Sequence, residues 1–127
     1  MKNIVFTFCV LGLLVLGTSC SKDDPARDKF LGAYSVVETC GGGNDTYEIV
    51  IIESGTGDNA VVLNNLYGGG ASLSATVDGN RINIDTQVQG GVTYNGSGTI
   101  DDNILTINFT VSALGQSDNC NAVCTRK

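Results

Sequence analysis

The side chains that could do chemistry in this chain are carboxylates and cysteines, because the sequence contains no histidine. Histidine is the usual general base near neutral pH and the commonest metal ligand. Adjacent Asp101 and Asp102 are of the residue type that cleaves glycosides, but they fall in a predicted turn. Cys124 has no histidine that would activate its thiol as a nucleophile. The sequence therefore predicts a protein without catalytic residues and without a cofactor.

Two side chains are candidate ligand-facing residues. Glu38 alternates in phase with the apolar residues Tyr34 and Val36, so it is expected to point inward near one end of its strand. A carboxylate in such a place can contact a ligand. A position at the rim in water, or a one-residue bulge, is the alternative interpretation of Glu38. Tyr94 lies on the apolar face of a later strand and is the second candidate.

Other polar segments have simpler interpretations. Residues 58–59 and 101–103 carry oxygen ligands of the kind that calcium prefers, but neither segment follows a known calcium-loop spacing. The glycine runs at 41–43, 68–70 and 90–91 open no predicted helix, so they predict turns and not phosphate cradles. No metal site is predicted.

The elements that must position these residues are short strands. Apolar and polar residues alternate over 71–77, 82–88, 92–100 and 105–111, and less regular strands are predicted over 30–40, 47–53, 60–67 and 119–126. Eight short strands joined by turns predict an antiparallel meander. The fold class is therefore all-β, with the meander closing into an up-and-down barrel that has no free edge. A β-sandwich is the alternative.

The alternation also predicts which residues fill the barrel. The inward set is mostly large aliphatics: Tyr34, Val36, Ile49, Ile51, Leu63, Leu73, Ala75, Val77, Ile82, Ile84, Tyr94, Leu105, Ile107, Phe109, Cys120, Ala122 and Cys124. Because a short chain needs these residues to offset its conformational entropy, the interior is expected to be mostly filled. A modest pocket is expected beside Gly96, Gly98 and Ala75.

Barrel closure makes a prediction about the cysteines. If the last strand pairs antiparallel with the first, one register places Cys120 opposite Cys40 and Arg126 opposite Tyr34. A disulfide between Cys40 and Cys120 is the preferred prediction, and it leaves Cys124 as a buried free thiol. A bridge from Cys40 to Cys124, which needs a slip of four residues, is the alternative.

The N-terminal segment has the layout of a secretory signal. A basic Lys2 precedes an apolar run over 4–16, and small residues at 17–19 precede Cys20. This arrangement resembles the lipobox of bacterial lipoproteins, although Leu16 stands one place earlier than the family pattern prefers. The resemblance implies a signal peptide over 1–19 and lipidation of Cys20. The polar residues that follow predict a lipidated tether over 20–29, and the strands predict a barrel domain over 30–127.

Charge and the tether indicate the location. The net charge is −6, and removing the signal takes away Lys2 but no acid, so binding to nucleic acid is excluded by repulsion. Residues 22–24 (Lys-Asp-Asp) resemble a signal that exports lipoproteins to the cell surface. The expected location is the Gram-negative outer membrane, at its surface or its periplasmic face. The membrane partner is contacted through the acyl chains.

Gly32-Ala33-Tyr34 resembles the Gly-x-Trp opening of lipocalins. In that family the aromatic residue plugs the closed end of the barrel and an arginine from the last strand packs across it, which implies these roles for Tyr34 and Arg126. The chain has no tryptophan and is short for a lipocalin. It is more similar to small surface lipoproteins with a lipocalin-like domain, in its length and in the placement of Cys40 and Cys120.

The resemblance implies a non-enzymatic binding module for a small apolar ligand. The alternative is a protein-interaction or inhibitor barrel with a filled interior that acts through its loops. The sequence indicates no oligomeric state.

Overall fold

The computed structural model describes residues 26–127. The predicted signal peptide, the lipidation of Cys20 and the export signal over 22–24 lie outside the described residues. Within residues 26–127, no helix has the length and apolarity needed to cross a bilayer.

Eight antiparallel strands form one closed barrel, in which each strand pairs with its neighbours in sequence and the last strand pairs with the first. The strands are β1 (Gly32–Cys40), β2 (Gly43–Glu53), β3 (Ala60–Asn64), β4 (Ser72–Asp78), β5 (Arg81–Gln89), β6 (Val92–Asp101), β7 (Ile104–Ala113) and β8 (Gln116–Arg126). The predicted closed eight-stranded meander is confirmed, and the sandwich alternative is wrong.

The core follows from the alternation of residues along these strands. Every residue of the predicted inward set, from Tyr34 to Cys124, is buried. The apolar residues Phe30, Val61, Leu66, Ile100 and Val111 are buried as well. Large aliphatic side chains therefore fill most of the barrel, as expected for a short chain.

The two ends of the barrel differ. At one end, called the closed end, lie the N-terminal 3-10 turn (Ala26–Phe30), the turns before β3, β5 and β7, and the C-terminus. The opposite end, called the open end, carries the β1–β2, β3–β4, β5–β6 and β7–β8 connections.

The N-terminal turn covers the closed end. Phe30 is fully buried, and the Arg27 guanidinium donates to the carbonyl oxygens of Gly57 at 2.7 Å and Ser54 at 3.2 Å. The same guanidinium pairs with Glu53 at 3.4 Å. Residues 26–29, which the sequence assigns to the tether, are therefore packed onto the barrel.

The pocket expected beside Gly96, Gly98 and Ala75 is not where the main cavity lies. A β-carbon added at Gly96 would lie 2.5 Å from the Asn108 carbonyl oxygen, and one at Gly98 would lie 2.4 Å from the Thr106 carbonyl oxygen. These glycines let β7 approach the backbone of β6 closely. The space that a side chain would occupy is therefore filled by β7 and forms no pocket.

The prediction for Val88 is also wrong. The strand alternation places Val88 on the dry face, but its side chain is 63% exposed. The pairing of β5 with β6 shifts by one residue between Ile84 and Gln87. After this bulge, the residues of β5 that would have pointed into the barrel point outward. The Gln87 amide then donates to the Ser74 carbonyl and accepts from the Ser74 N–H, both at 2.9 Å, so it joins β5 to β4 where their backbones do not pair.

Candidate functional site

A cavity of about 950 Å³ lies at the open end. The β1–β2, β3–β4 and β5–β6 connections contribute to its wall, together with residues of β6, β7 and β8. The side chains of Val92, Tyr94, Val111 and Asp118 lie on its wall. The cavity is open to solvent, and the filled part of the barrel lies beneath it.

The β3–β4 connection crosses this end as a tight 3-10 turn (Leu66–Gly68), called the Tyr67 turn. The sequence assigns Leu66 and Tyr67 to a strand, but that strand ends at Asn64. Asn65 and Tyr67 adopt left-handed backbone conformations at φ 79° and 69°, which are unfavourable for residues other than glycine. Surrounding contacts must therefore hold the turn in place.

Those contacts come from the barrel wall and from the core. The Tyr67 N–H donates to the Tyr47 hydroxyl at 2.9 Å, and the Tyr67 hydroxyl donates to Asp118 Oδ2 at 3.3 Å. The Tyr67 ring packs edge-to-face against Phe109, with centroids 6.2 Å apart. Leu66 is fully buried beneath the turn.

Glu38 lies underneath the Tyr67 turn. It points inward as predicted and is 3% exposed, and the pairing of β1 is unbroken on both sides. Both the rim position in water and the bulge are therefore wrong. The Tyr47 hydroxyl donates to Glu38 Oε1 at 2.7 Å. Burial raises the pKa of Glu38, the hydrogen bond from Tyr47 opposes this, and the nearby carboxylates of Asp45 and Asp118 raise it further.

Asp118 is the carboxylate that reaches the cavity itself. The Gly41 N–H donates to its Oδ1 at 3.1 Å, and Tyr67 holds its Oδ2. Asp118 was not among the predicted site residues. The glycine run over 68–70 marks a turn after Tyr67, but nothing in the local sequence connects that turn to Asp118, fifty-one residues away.

Tyr94 forms part of the cavity wall, so of the two predicted ligand-facing residues it is the one that reaches the cavity. The residue is 4% exposed, and its hydroxyl makes no hydrogen bond within residues 26–127. A β-carbon added at Gly69 would lie 3.7 Å from this hydroxyl. A hydroxyl on the cavity wall without a protein partner is free to bond to a molecule in the cavity.

The predicted disulfide is confirmed. Cys40 and Cys120 are bonded, and Cys124 is a buried free thiol whose pKa is raised to about 12, mainly by burial. A carboxylate oxygen of Glu38 and the two bridged sulfurs lie within 4.8 Å of one another. Because those sulfurs are bonded to each other, they are not available as thiolate ligands for a metal.

Tyr34 and Arg126 meet at the closed end, far from the cavity. The guanidinium carbon lies 4.9 Å from the centre of the Tyr34 ring. The Tyr34 hydroxyl donates to the Phe30 carbonyl at 2.8 Å, and Arg126 donates to the carbonyls of Lys29 and Leu31. A β-carbon at Gly32, where φ is +129°, would lie 3.2 Å from Arg126, so this position favours glycine on two counts.

The acidic segments considered for calcium also lie at the closed end. Residues 101–103 border a surface depression that also contacts Lys29 and Arg126. Residues 58–59 belong to the turn before β3.

No protein-family model, curated protein or solved structure matches this chain. The site is therefore interpreted from its own residues. The cavity has tyrosine and valine on its walls, together with the Asp118 carboxylate, the amides of Gln89 and Gln116 and the hydroxyls of Tyr94 and Ser117. This is the composition of a small-molecule site, where a few polar groups orient a mostly apolar ligand.

Proposed function

We propose that this protein is a non-enzymatic, lipocalin-like binding module that holds a small ligand with an apolar body at the open end of its barrel. The observation that carries the proposal is the cavity of about 950 Å³ with the unbonded Tyr94 hydroxyl on its wall. Small-molecule sites span about 300–1,000 Å³ and combine apolar walls with few polar groups. Because aliphatic side chains fill the barrel below, the ligand sits at the mouth.

The proposal includes a lipid anchor on Cys20 and a location in the outer membrane, at the cell surface. Its support is the lipobox-like segment before Cys20 and the position of the N-terminal turn. Ala26–Phe30 packs on the closed end. A tether that leads from Cys20 to this turn holds the closed end toward the bilayer, so the cavity opens away from it.

A second candidate function has an observation of its own. Leu114, in the β7–β8 turn, is fully exposed and has a left-handed backbone at φ 52°. The left-handed conformation is unfavourable for leucine, and its neighbour Ala113 borders the cavity. This favours the alternative in which a protein partner docks on the loops of the open end.

Binding of a neutral apolar dye, N-phenyl-1-naphthylamine, tests the first function by fluorescence. Gly69→Val places a side chain against the Tyr94 hydroxyl, and Gly69 has φ −93°, a conformation that other residues adopt. The matched control is Gly55→Val, since a β-carbon there meets nothing within 4 Å and the residue lies at the closed end.

We expect the natural protein and Gly55→Val to bind the dye at one site, and Gly69→Val to bind it at least about tenfold more weakly. Absence of binding, or equal binding by all three proteins, would contradict the cavity proposal. Loss of dye binding in Leu114→Asn but not in Gly69→Val would favour the loops as the binding surface.

A further inference from the structure

Charge is divided unevenly between the two ends of the barrel. All five basic residues of the described chain lie at the closed end: Arg27, Lys29, Arg81, Arg126 and Lys127. The ion pairs of this part of the chain, Arg27 with Glu53 and Lys127 with Glu48, take their cations from that end. The open end has no basic residue within residues 26–127.

Three carboxylates nevertheless converge on the inner side of the open end. Glu38 and Asp45 stand directly opposite each other on β1 and β2, and Asp118 reaches the cavity from β8. Like charges at opposed positions of a sheet are destabilising. Their hydrogen-bond donors are neutral groups, the hydroxyls of Tyr47 and Tyr67 and the N–H of Gly41 among them. A cation would relieve this repulsion.

The walls of the cavity show what kind of cation fits. The rings of Tyr67 and Tyr94 and the aliphatic side chains of Val92 and Val111 border it, with Asp118 as the charged group. A calcium ion takes six to eight oxygen ligands with several carboxylates among them, and Asp118 is the one carboxylate residue on this wall. Aromatic faces beside a carboxylate are the groups that recognise an organic ammonium. The Tyr94 hydroxyl is a further acceptor that has no partner in the described chain.

We infer that the cavity binds an organic cation, a protonated amine or quaternary ammonium on an apolar body, with Asp118 facing the charge and the rings of Tyr67 and Tyr94 beside it. The inference rests on the proposed binding function and names its ligand class. Glu38, beneath the Tyr67 turn, adds to the negative potential of the site without contacting the ligand.

Three probes of equal chain length separate charge from apolarity: octyltrimethylammonium, octyl glucoside and octanesulfonate, each titrated calorimetrically below its micelle concentration. The natural protein should bind the ammonium about tenfold or more tightly than the neutral probe, and the sulfonate most weakly. Added salt should weaken ammonium binding and leave the glucoside unaffected.

Asp118→Asn is the decisive variant, because its amide oxygen can still accept from the Gly41 N–H and its amide NH2 can donate to the Tyr67 hydroxyl, while the charge is gone. It should abolish the preference for ammonium and keep binding of octyl glucoside. Asp58→Asn removes the same charge at the closed end and should keep the preference.

Equal affinity for the ammonium and the glucoside in the natural protein would overturn the cation inference and leave the binding function standing. Failure of all three probes and of the neutral dye would overturn both. Competition by calcium chloride beyond that of sodium chloride at equal ionic strength would overturn the inference in favour of a metal site.

Discussion

The Tyr47 hydroxyl donates to Glu38 Oε1 at 2.7 Å while it accepts from the backbone N–H of Tyr67 at 2.9 Å. The buried carboxylate of Glu38 therefore supports the Tyr67 turn through the Tyr47 hydroxyl, although the backbone conformation of that turn is unfavourable. Burial and the hydrogen bond to Glu38 both raise the pKa of Tyr47, so its hydroxyl keeps its proton and stays a donor. The pair has a structural role beneath the cavity and is not part of its wall.

Glu38 should make stability depend on pH. Its pKa in the folded protein is raised above the usual 4.5, so the folded state holds the proton more tightly than the unfolded state does. The contribution of Glu38 to the free energy of unfolding is complete below its pKa in the unfolded state. It is lost as pH rises through its pKa in the folded state. Urea unfolding between about pH 4 and 8 should show the natural protein losing stability relative to Glu38→Gln as pH rises. Parallel pH curves for the two proteins would contradict this.

The control for that experiment is Asp58→Asn, a substitution in an exposed turn at the closed end. Its curve should run parallel to that of the natural protein. Glutamine at position 38 can still accept from Tyr47, so the Tyr67 turn should remain folded.

The disulfide should contribute much of the stability of so short a chain. It closes a loop of eighty residues, and in the chain-entropy model such a bridge is worth about 4 kcal/mol. The Cys40→Ala/Cys120→Ala variant should lose a free energy of unfolding of that order in urea, and peptide mapping without reductant should find Cys40 joined to Cys120. A linkage between Cys40 and Cys124 would refute the register of β1 and β8.

Cys124 should be chemically silent in the folded protein. Its thiol is buried and its pKa is raised to about 12, so almost no thiolate is present near neutral pH. Iodoacetamide should modify it only in urea, with the disulfide intact throughout. Rapid labelling of the folded protein would show that the region around Cys124 opens readily.

Tyr34 should be among the side chains most costly to truncate. The ring is fully buried and its hydroxyl bonds to Phe30, so Tyr34→Ala should destabilise by about 3 kcal/mol. Tyr34→Phe keeps the ring and should cost about 1 kcal/mol. Val37, three residues along β1, is 58% exposed, and Val37→Ala should stay within about 0.5 kcal/mol. Equal effects at positions 34 and 37 would contradict the plug.

The mature protein should begin at a lipidated Cys20. Mass spectrometry of the purified protein from membranes should show a diacylglycerol-modified cysteine at the N-terminus, and Cys20→Ala should accumulate as uncut or unanchored chain. An unmodified N-terminal residue other than Cys20 would contradict the lipoprotein assignment.

The sequence predicts the barrel well where strands alternate strictly. In β7, Leu105, Ile107 and Phe109 share a face because side chains of a strand point alternately to its two sides. The prediction fails at Val88 because one inserted residue in β5 exchanges the inward and outward positions that follow it. No local signal in the sequence marks the insertion.

The candidate site was less predictable, because closure of the barrel creates it. Tyr67 and Asp118 meet although fifty-one residues separate them. Tyr67 was placed in a strand because it continues an apolar run, whereas its contacts with Tyr47 and Phe109 pull it into a turn. Glu38 was placed on the correct face by alternation, but only the position of the Tyr67 turn above it explains its burial.

The bridge between Cys40 and Cys120 also decides how the barrel bears mechanical load. Tension applied at the N-terminal turn acts on β1 in shear against β2 and β8, which flank it. The strand can be drawn out only as far as Cys40, where the covalent bond passes the force to β8. The loop of eighty residues between the cysteines then cannot extend. The barrel is thereby reinforced along the line from its closed end to its open end.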